Sequence, residues 1–279
     1  MAIDPEELGH SKSDLAQALR ELRVQAGLAG DRLARRCGMT QSKISKIETG
    51  RTIPSLVDVE LILRALEVPA DLAQRVLDLA RVANTEWQDV RALRKKGLEK
   101  KQVELAALDQ SSTEIRYFLL SMLNTLLATP EYVRASLSHV PGDTTKAVAK
   151  KLERQTVVYD ESKTFTFILT EQAVRWAVLP PRAMVMQIDR LISVSRLPNV
   201  RLGVIPLGKY IPECPLNTFT VYDSSLATVE TETGIVVLRD RRDIQLYRDT
   251  FAMYEGHALF GDPACEQLEE WSSLFLRDL

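Results

Sequence analysis

The chain has 279 residues, of which 45% are hydrophobic and 27% are charged, and these values are typical of globular proteins. The length suits about two domains and allows at least one sizeable core. A formal net charge of −2 and a pI of about 6.0 exclude a protein that is basic over its whole surface. Any nucleic-acid binding must therefore come from a local basic patch.

Targeting and redox signals are few. Residues 1–14 are acidic overall and contain no apolar segment, so we expect no signal peptide. No apolar run approaches the roughly 20 residues that a transmembrane helix needs, so no membrane partner is expected. The cysteines have no CxxC spacing and are expected to be free thiols in a reducing cytoplasm. They are Cys37, Cys214 and Cys265.

Residues 11–84 have apolar side chains three and four positions apart, which predicts five short helices in one compact domain. Ser13, Thr40 and Ser55 are placed to cap the first, third and fourth helices, and Pro69 to open the fifth. The first helix is expected to bury Leu15, Ala18, Leu19, Leu22 and Val24. The glycines expected to end the first three helices are Gly27, Gly38 and Gly50.

Residues 85–108 are predicted to form an exposed connecting helix. The segment 91–101 carries six basic residues around Gly97, and this glycine is the weak point of such a helix. Trp87 and leucines 93, 98 and 105 offer it an apolar side. Together with the fifth helix, this side is the expected contact of a homodimer.

Residues 109–279 are predicted to form a mixed α/β domain. The apolar periodicity predicts helices at 112–127, 130–139, 143–158, 181–196, 241–257 and 262–278. Short β-branched or alternating stretches predict strands at 164–170 and 199–208 and an antiparallel meander over 216–240. The fold class is therefore a multi-domain protein, with an all-α domain followed by a mixed α/β domain.

The second and third helices have the features of a helix-turn-helix. Two short helices that pack steeply need a small residue where they approach and a glycine at the turn, and Ala34 and Gly38 meet these needs. The shared apolar core is expected to hold Leu33, Met39, Ile44 and Ile47. The third helix is then the one that lies in the major groove.

Four side chains on the other side of that helix are expected to contact bases: Gln41, Ser42, Lys43 and Lys46. A glutamine can bind adenine with two hydrogen bonds, and a lysine can donate to guanine. Residues 31–51 hold six basic and two acidic residues, a local net charge of +4. The expected phosphate contacts are Arg32, Arg35, Arg36, Thr40 and Arg51.

Residues 23–68 resemble the XRE-type, Cro/phage-repressor class of helix-turn-helix domain. The most diagnostic stretch is Ser-Lys-Ile-Ser-Lys-Ile-Glu-x-Gly-Arg-x-x-Pro, complete at 42–54. The resemblance implies a structural pair between Arg23 on the first helix and Glu48 after the recognition helix. This chain departs from the pattern at the second helix, which begins Gly30-Asp31 instead of with a glutamine. Asp31 can cap that helix, but its charge repels phosphate.

Residues 105–275 resemble the C-terminal domain of WhiJ-like actinobacterial regulators, also known as Scr1-type antitoxin-like regulators. The stretches that carry the resemblance lie at 104–137, 151–158, 165–176, 198–208 and 227–234. The family pattern near 117–129 has a Pro-Gly turn that this chain lacks. The resemblance implies a DNA-binding regulator whose C-terminal domain docks a small partner protein.

The residues themselves offer one candidate docking surface, the apolar loop with Tyr210, Ile211 and Pro212. The alternative is that this loop packs on its own domain. A second alternative is a regulator that responds to a small ligand, with Trp176, Phe165 and Phe167 lining a pocket, although these aromatics are more typical of a core.

The remaining alternatives are an interaction protein with weak DNA binding and an enzyme. The histidines His10, His139 and His257 lie in unrelated contexts, and no metal-binding, nucleotide-binding or nucleophile motif is present. We therefore expect no catalytic activity, no cofactor and no metal. Because a single helix-turn-helix reads one half-site, a homodimer on a two-fold double-stranded operator is expected.

Overall fold

A computed structural model gives the fold. It describes the backbone of residues 7–89, 98–231 and 234–277, and the side chains of 13–85, 102–231 and 234–277. The chain divides into two compact units. The first unit comprises Met1–Gln88 and Val236–Ile244, and the second comprises Asp89–Ile235 and Gln245–Leu279.

The first unit contains five helices among its described residues. They are α1 (Glu7–Gln25), α2 (Gly30–Arg36), α3 (Gln41–Glu48), α4 (Leu56–Ala65) and α5 (Ala70–Asn84). One apolar core joins them, and its most deeply buried members include Leu15, Leu33, Ile44, Ile47 and Val59. The all-α prediction for this part of the chain is therefore confirmed over the five helices.

Local capping explains where two of these helices begin. The Thr40 hydroxyl accepts a hydrogen bond from the Lys43 amide, and Ser55 forms a reciprocal capping box with Asp58, as predicted. The predicted cap at Ser13 is wrong, because α1 begins at Glu7 and Ser13 lies inside it. Val24 was also predicted to be buried, but it is 61% exposed.

The predicted connecting helix at 85–108 is wrong in its first part. Residues Thr85–Asp89 form a strand, β1, in which Thr85 and Trp87 are residue types that favour strands. A helix, α6, covers Leu98–Ser111. The basic segment 91–96, Gly97 and the side chains of Trp87, Leu93 and Leu98 lie outside the described residues, so the expected dimer contact stays a prediction.

The second unit is a mixed α/β fold, as predicted. Its strands are β2 (Glu114–Leu119), β3 (Thr164–Thr170), β4 (Val200–Ile205), β5 (Phe219–Tyr222), β6 (Leu226–Glu230) and β8 (Leu259–Phe260). A further strand, β7 (Gly234–Leu238), lies at the boundary of the two units in the sequence. Its helices after α6 are α7 (Pro130–Ser136), α8 (Thr145–Arg154), α9 (Glu171–Arg175), α10 (Pro181–Ser195), α11 (Arg241–Glu255) and α12 (Asp262–Arg277). Strand β7 and helix α11 each run from one unit into the other.

Six strands of this unit lie side by side in the sheet, in the order β6-β5-β2-β3-β4-β8. Strands β2, β3 and β4 are parallel, whereas β5 pairs antiparallel with both β2 and β6. The carboxyl ends of the three parallel strands therefore meet at one edge of the sheet. In the centre, the rings of Tyr117 and Phe167 stack with their centroids 4.9 Å apart.

The predicted helix at 112–127 is wrong. Its first half is strand β2, followed by a short 3₁₀ turn at Thr125–Leu127. The sequence Glu-Ile-Arg-Tyr-Phe-Leu has no helix-breaking residue, so periodicity alone does not exclude a helix. Pairing with β3 on one side and β5 on the other decides its structure. Phe165 and Phe167 are fully buried on β3 and belong to the core, not to a ligand pocket.

Candidate nucleic-acid interface

Helix α3 presents a polar face because its apolar residues are anchored in the core. Ile44 and Ile47 are each 1% exposed. Gln41, Ser42 and Lys46 lie on the solvent side of the helix and are exposed. Three of the four residues predicted to contact bases therefore share one accessible surface.

The turn between α2 and α3 has the geometry that the sequence predicts. Gly38 adopts a φ of +66°, a left-handed conformation that costs little for glycine. The Met39 amide donates to the Ala34 carbonyl over 2.9 Å, and Ala34 and Leu33 are buried between the helices. This turn fixes the orientation of α3 against α2.

Lys43, the fourth predicted base contact, forms an ion pair with a residue of another helix. Its ammonium Nζ lies 2.7 Å from Oδ1 of Asp58 on α4, and its side chain is 42% exposed. The other Asp58 oxygen accepts the Ser55 amide proton at the start of α4. Lys43 can reach DNA only by leaving or sharing this carboxylate.

The predicted phosphate contacts differ in whether their side chains already bind another part of the protein. Arg32 and Arg51 are exposed, and among the described residues neither has an ion-pair partner. Thr40 is exposed at the N-terminus of α3, where its hydroxyl caps the helix. Arg35 pairs with Asp31 at 2.8 Å, and the Arg36 guanidinium donates to the Ala65 carbonyl over 3.2 Å.

Asp31 does not cap α2 as predicted, because the cap position is Ala29, which makes no side-chain cap. Asp31 instead accepts a hydrogen bond from Arg35, and this bond lowers the pKa of its carboxyl below the ordinary value. Both side chains are exposed, and an exposed ion pair contributes little stability. A phosphate can therefore compete with Asp31 for Arg35.

Arg23 and Glu48 form the ion pair that the sequence resemblance implies. Two guanidinium nitrogens donate to the two carboxylate oxygens over 2.6 and 2.8 Å, and the third donates to the Leu28 carbonyl over 2.8 Å. The hydrogen bond to Glu48 raises the pKa of Arg23. The pair connects α1 to the end of α3 and satisfies every guanidinium nitrogen.

The charge of this surface follows from these pairings. The acidic residues between 31 and 58 are Asp31, Glu48 and Asp58, and each is paired with a basic side chain. The exposed positive charges of Arg32, Lys46 and Arg51 have no such compensation among the described residues. The solvent side of α3 and its flanks is therefore positive, although the chain as a whole is not.

The segments that follow the carboxyl ends of β3 and β4 carry exposed apolar side chains. Tyr210, predicted as a docking residue, is 84% exposed; Pro212 is exposed and Ile211 half-buried. Sequence reasoning missed Leu216, which is 85% exposed, and assigned Trp176, which is 59% exposed, to a pocket. The signal that could have grouped these residues is the parallel pairing of β3 and β4, because the segments after both strands leave the sheet at the same end.

A buried polar network was also missed. Asp109 on α6 accepts from Arg154 on α8 over 2.5 and 3.2 Å and from the Tyr117 hydroxyl over 3.1 Å. Burial raises the pKa of Tyr117 well above its usual value, which keeps the phenol protonated and able to donate. This network connects two helices to the central strand and faces no solvent.

The described residues meet neither the requirements of a metal site nor those of a membrane-spanning helix. Within the described ranges, no group of three or more His, Cys, Asp or Glu side chains is arranged to hold a metal ion. No helix in the described part of the chain is both long and apolar enough to cross a membrane.

Three solved structures are weakly similar to this chain. Nuc from Salmonella typhimurium, a phospholipase D family member, is 11% identical with a TM-score of 0.33, covering 58% of this chain and 90% of Nuc. TrmBL2, an archaeal chromatin protein, is 12% identical with a TM-score of 0.34, covering 72% of this chain and 66% of TrmBL2. NucT from Helicobacter pylori is 8% identical with a TM-score of 0.36, covering 63% of this chain and 98% of NucT. Likenesses at this level support no functional inference.

Family models match both parts of the chain, whereas no curated protein matches it. Residues 14–76 match the model described as a helix-turn-helix domain (HTH_31), so the first unit carries a helix-turn-helix DNA-binding domain. Residues 102–270 match the model described as a domain of unknown function (DUF5753). The chain therefore belongs to the DUF5753 family.

Proposed function

We propose that the protein is a sequence-specific, DNA-binding transcriptional regulator of the XRE type, whose C-terminal domain docks a small partner protein. The observation that carries the DNA-binding part is the exposed polar face of α3, with Gln41, Ser42 and Lys46 on it and the exposed cations Arg32 and Arg51 beside it. The acidic residues of the same region are all paired, so this face attracts phosphates.

The exposed face of α3 supports one mode of binding. Helix α3 enters the major groove with its first turn toward the base edges. Gln41 is placed to form two hydrogen bonds with adenine, a contact worth about 1–3 kcal/mol of discrimination. Arg32, Arg51 and the exposed hydroxyl of Thr40 flank α3 and contact phosphates, which fix the register without reading sequence.

A homodimer on a two-fold operator is part of the proposal. One short recognition helix contacts only a few base pairs, and regulators of this class gain affinity by placing two such helices one helical turn apart. We propose that the protein acts in this form in the cytoplasm, without catalysis or a cofactor.

The docking part rests on exposed apolar residues of the second unit. Trp176, Tyr210 and Leu216, on the segments that follow β3 and β4, are all more than half exposed, and exposed apolar side chains that group together mark interaction sites. An apolar segment of a small protein is the proposed occupant. A small ligand is the second candidate, because ligands of open α/β sheets bind outside the carboxyl ends of the strands.

The test of DNA binding is selection of duplexes from a random pool by the full chain. We expect a single enriched motif, and Gln41→Ala should lose preference at about one base pair while Gln74→Ala, an exposed glutamine on α5, should not. An unenriched pool would refute sequence-specific binding.

The test of docking uses the chain purified from its own cells. Leu216→Ser should abolish co-purification of a small protein, whereas Tyr159→Ala, which removes another exposed aromatic of the second unit, should retain it. A bound small molecule that Leu216→Ser removes would favour the ligand candidate. Equal co-purification with both variants would refute this docking surface.

A further inference from the structure

The segment Val236–Ile244 belongs to the DNA-binding unit, although residues on both sides of it belong to the second unit. Val237 and Ile244 are buried. The Arg239 amide donates to the Asn84 carbonyl over 3.3 Å. The family domain thus contributes a piece of chain to the helix-turn-helix unit.

Asp240 contacts the first residue of α4. Its carboxylate is buried, with 4% of the residue exposed, and Oδ2 accepts a hydrogen bond from the Leu56 amide over 3.4 Å. Leu56 is the first residue of α4, where amide protons have no partner within the helix. A carboxylate at this end also interacts favourably with the helix dipole.

Two further sets of hydrogen bonds fix the turn before α4. The Asn84 side chain donates to the Pro54 carbonyl over 2.9 Å, and Ser55 and Asp58 cap each other. Three independent groups therefore fix three consecutive residues, Pro54, Ser55 and Leu56. This turn ends the loop that carries Arg51.

A continuous set of hydrogen bonds runs from this turn to the DNA-reading surface. Asp240 binds the first amide of α4, the capping box holds Asp58 over the same turn, and Asp58 binds the Lys43 ammonium on α3. Lys43 is held away from DNA by this carboxylate, whereas Arg51, on the loop that the turn ends, is exposed beside α3. The position of Arg51 in the free protein therefore depends on this turn.

We propose that Val236–Ile244 is a coupling element, through which the state of the second unit sets DNA affinity by holding or releasing the turn Pro54–Leu56. This proposal rests on the proposed DNA-binding function. The segment is covalently joined to the second unit at Ile235 and Gln245, so a rearrangement there acts on Asp240 directly. Release of Asp240 leaves a buried amide proton without its acceptor and loosens a surface that was preorganised for DNA.

Coupling of this kind is reciprocal, so that DNA must also act on the segment. If Asp240 only stabilises α4, DNA should protect Val236–Ile244 no more than the rest of the unit, because a ligand of the folded unit slows exchange by unfolding throughout it. Protection of this segment beyond that of residues 70–83 of α5 therefore separates coupling from simple stabilisation.

The experiment is hydrogen exchange of the full chain, alone and with a duplex selected as above. Without DNA, Asp240→Ala, which removes the acceptor of the Leu56 amide, should speed exchange of peptides covering 49–62, while Asp249→Ala, the same change at an exposed position of α11, should not. With DNA, wild-type peptides covering 236–244 should become protected more strongly than peptides covering 70–83.

Affinity measurements complete the test. Asp240→Ala should weaken binding of the selected duplex about fivefold or more, the lower end of usual coupling, with less than a twofold change for a scrambled duplex. Unchanged exchange at 49–62 in Asp240→Ala, or protection of 236–244 by DNA no greater than that of 70–83, would overturn the coupling alone. Failure of the wild-type chain to bind any duplex would instead overturn the DNA-binding function, and the coupling with it.

Discussion

The ion pair between Arg23 and Glu48 should stabilise the DNA-binding unit strongly. The side chains are only 16% and 11% exposed, and Glu48→Gln would leave a guanidinium facing a neutral amide with one of its three contacts, to the Leu28 carbonyl, unchanged. Removing one partner of a fully buried pair costs about 3–5 kcal/mol. Because this pair is partly exposed, we expect about 2–3 kcal/mol.

Native-state hydrogen exchange of α1 and α3 in the full chain measures this cost, since local opening reports local stability. A loss of that size should speed exchange of the most protected amides about 30- to 150-fold. Glu21→Gln, which removes a charge from an exposed residue of α1, is the matched control and should stay within about 0.5 kcal/mol.

A double variant tests whether the two residues act as a pair. Arg23→Met combined with Glu48→Met removes both charges and should recover part of the loss, because the unpaired charge is what costs most. Equal exchange rates in Glu48→Gln and Glu21→Gln would refute the structural role of the pair. Strictly additive losses in the double variant would refute the coupling between its members.

Three further changes address the DNA surface. Gln41→Ala should cost about 1–3 kcal/mol in binding the selected duplex and relax specificity at one base pair, as measured by competition against single-base variants, with Gln74→Ala as control. Arg35→Ala should weaken all duplexes alike and flatten the log-log salt dependence by about one; an unchanged slope would contradict a phosphate contact. Asp58→Asn should free Lys43, tighten binding of a scrambled duplex and steepen that slope by about one, whereas Asp78→Asn should do neither.

Local signals predicted much of the first unit. The caps at Thr40 and Ser55 depend on residues within three positions, and so does the glycine turn at Gly38, so a short stretch of sequence contains all that determines them. The same holds for the exposed face of α3, because the spacing of Ile44 and Ile47 fixes which side faces the core.

Features that depend on distant residues were not predictable in this way. Strand β2 reads as a helix until its two neighbouring strands are known, since its pairing partners lie about 50 and 105 positions away. The contact between Leu56 and Asp240 joins residues 184 positions apart. The ion pair between Lys43 and Asp58 depends on the angle between α3 and α4, which periodicity does not give.

The exposed apolar residues after β3 and β4 were predictable only in part. The loop with Tyr210 was identified from its composition, but its exposure could not be. Trp176 and Leu216 follow the same ends of β3 and β4 because these strands are parallel neighbours, and the pattern of apolar residues does not state which strands pair.

Genome-wide occupancy of the tagged full chain tests the central claim most directly, that α3 reads DNA sequence. We predict a small number of sharp peaks that share one motif, lost in Gln41→Ala and retained in Gln74→Ala. Peaks that are the same in both variants, or no peaks at all for the wild-type chain, would contradict the assignment of α3 as the recognition helix.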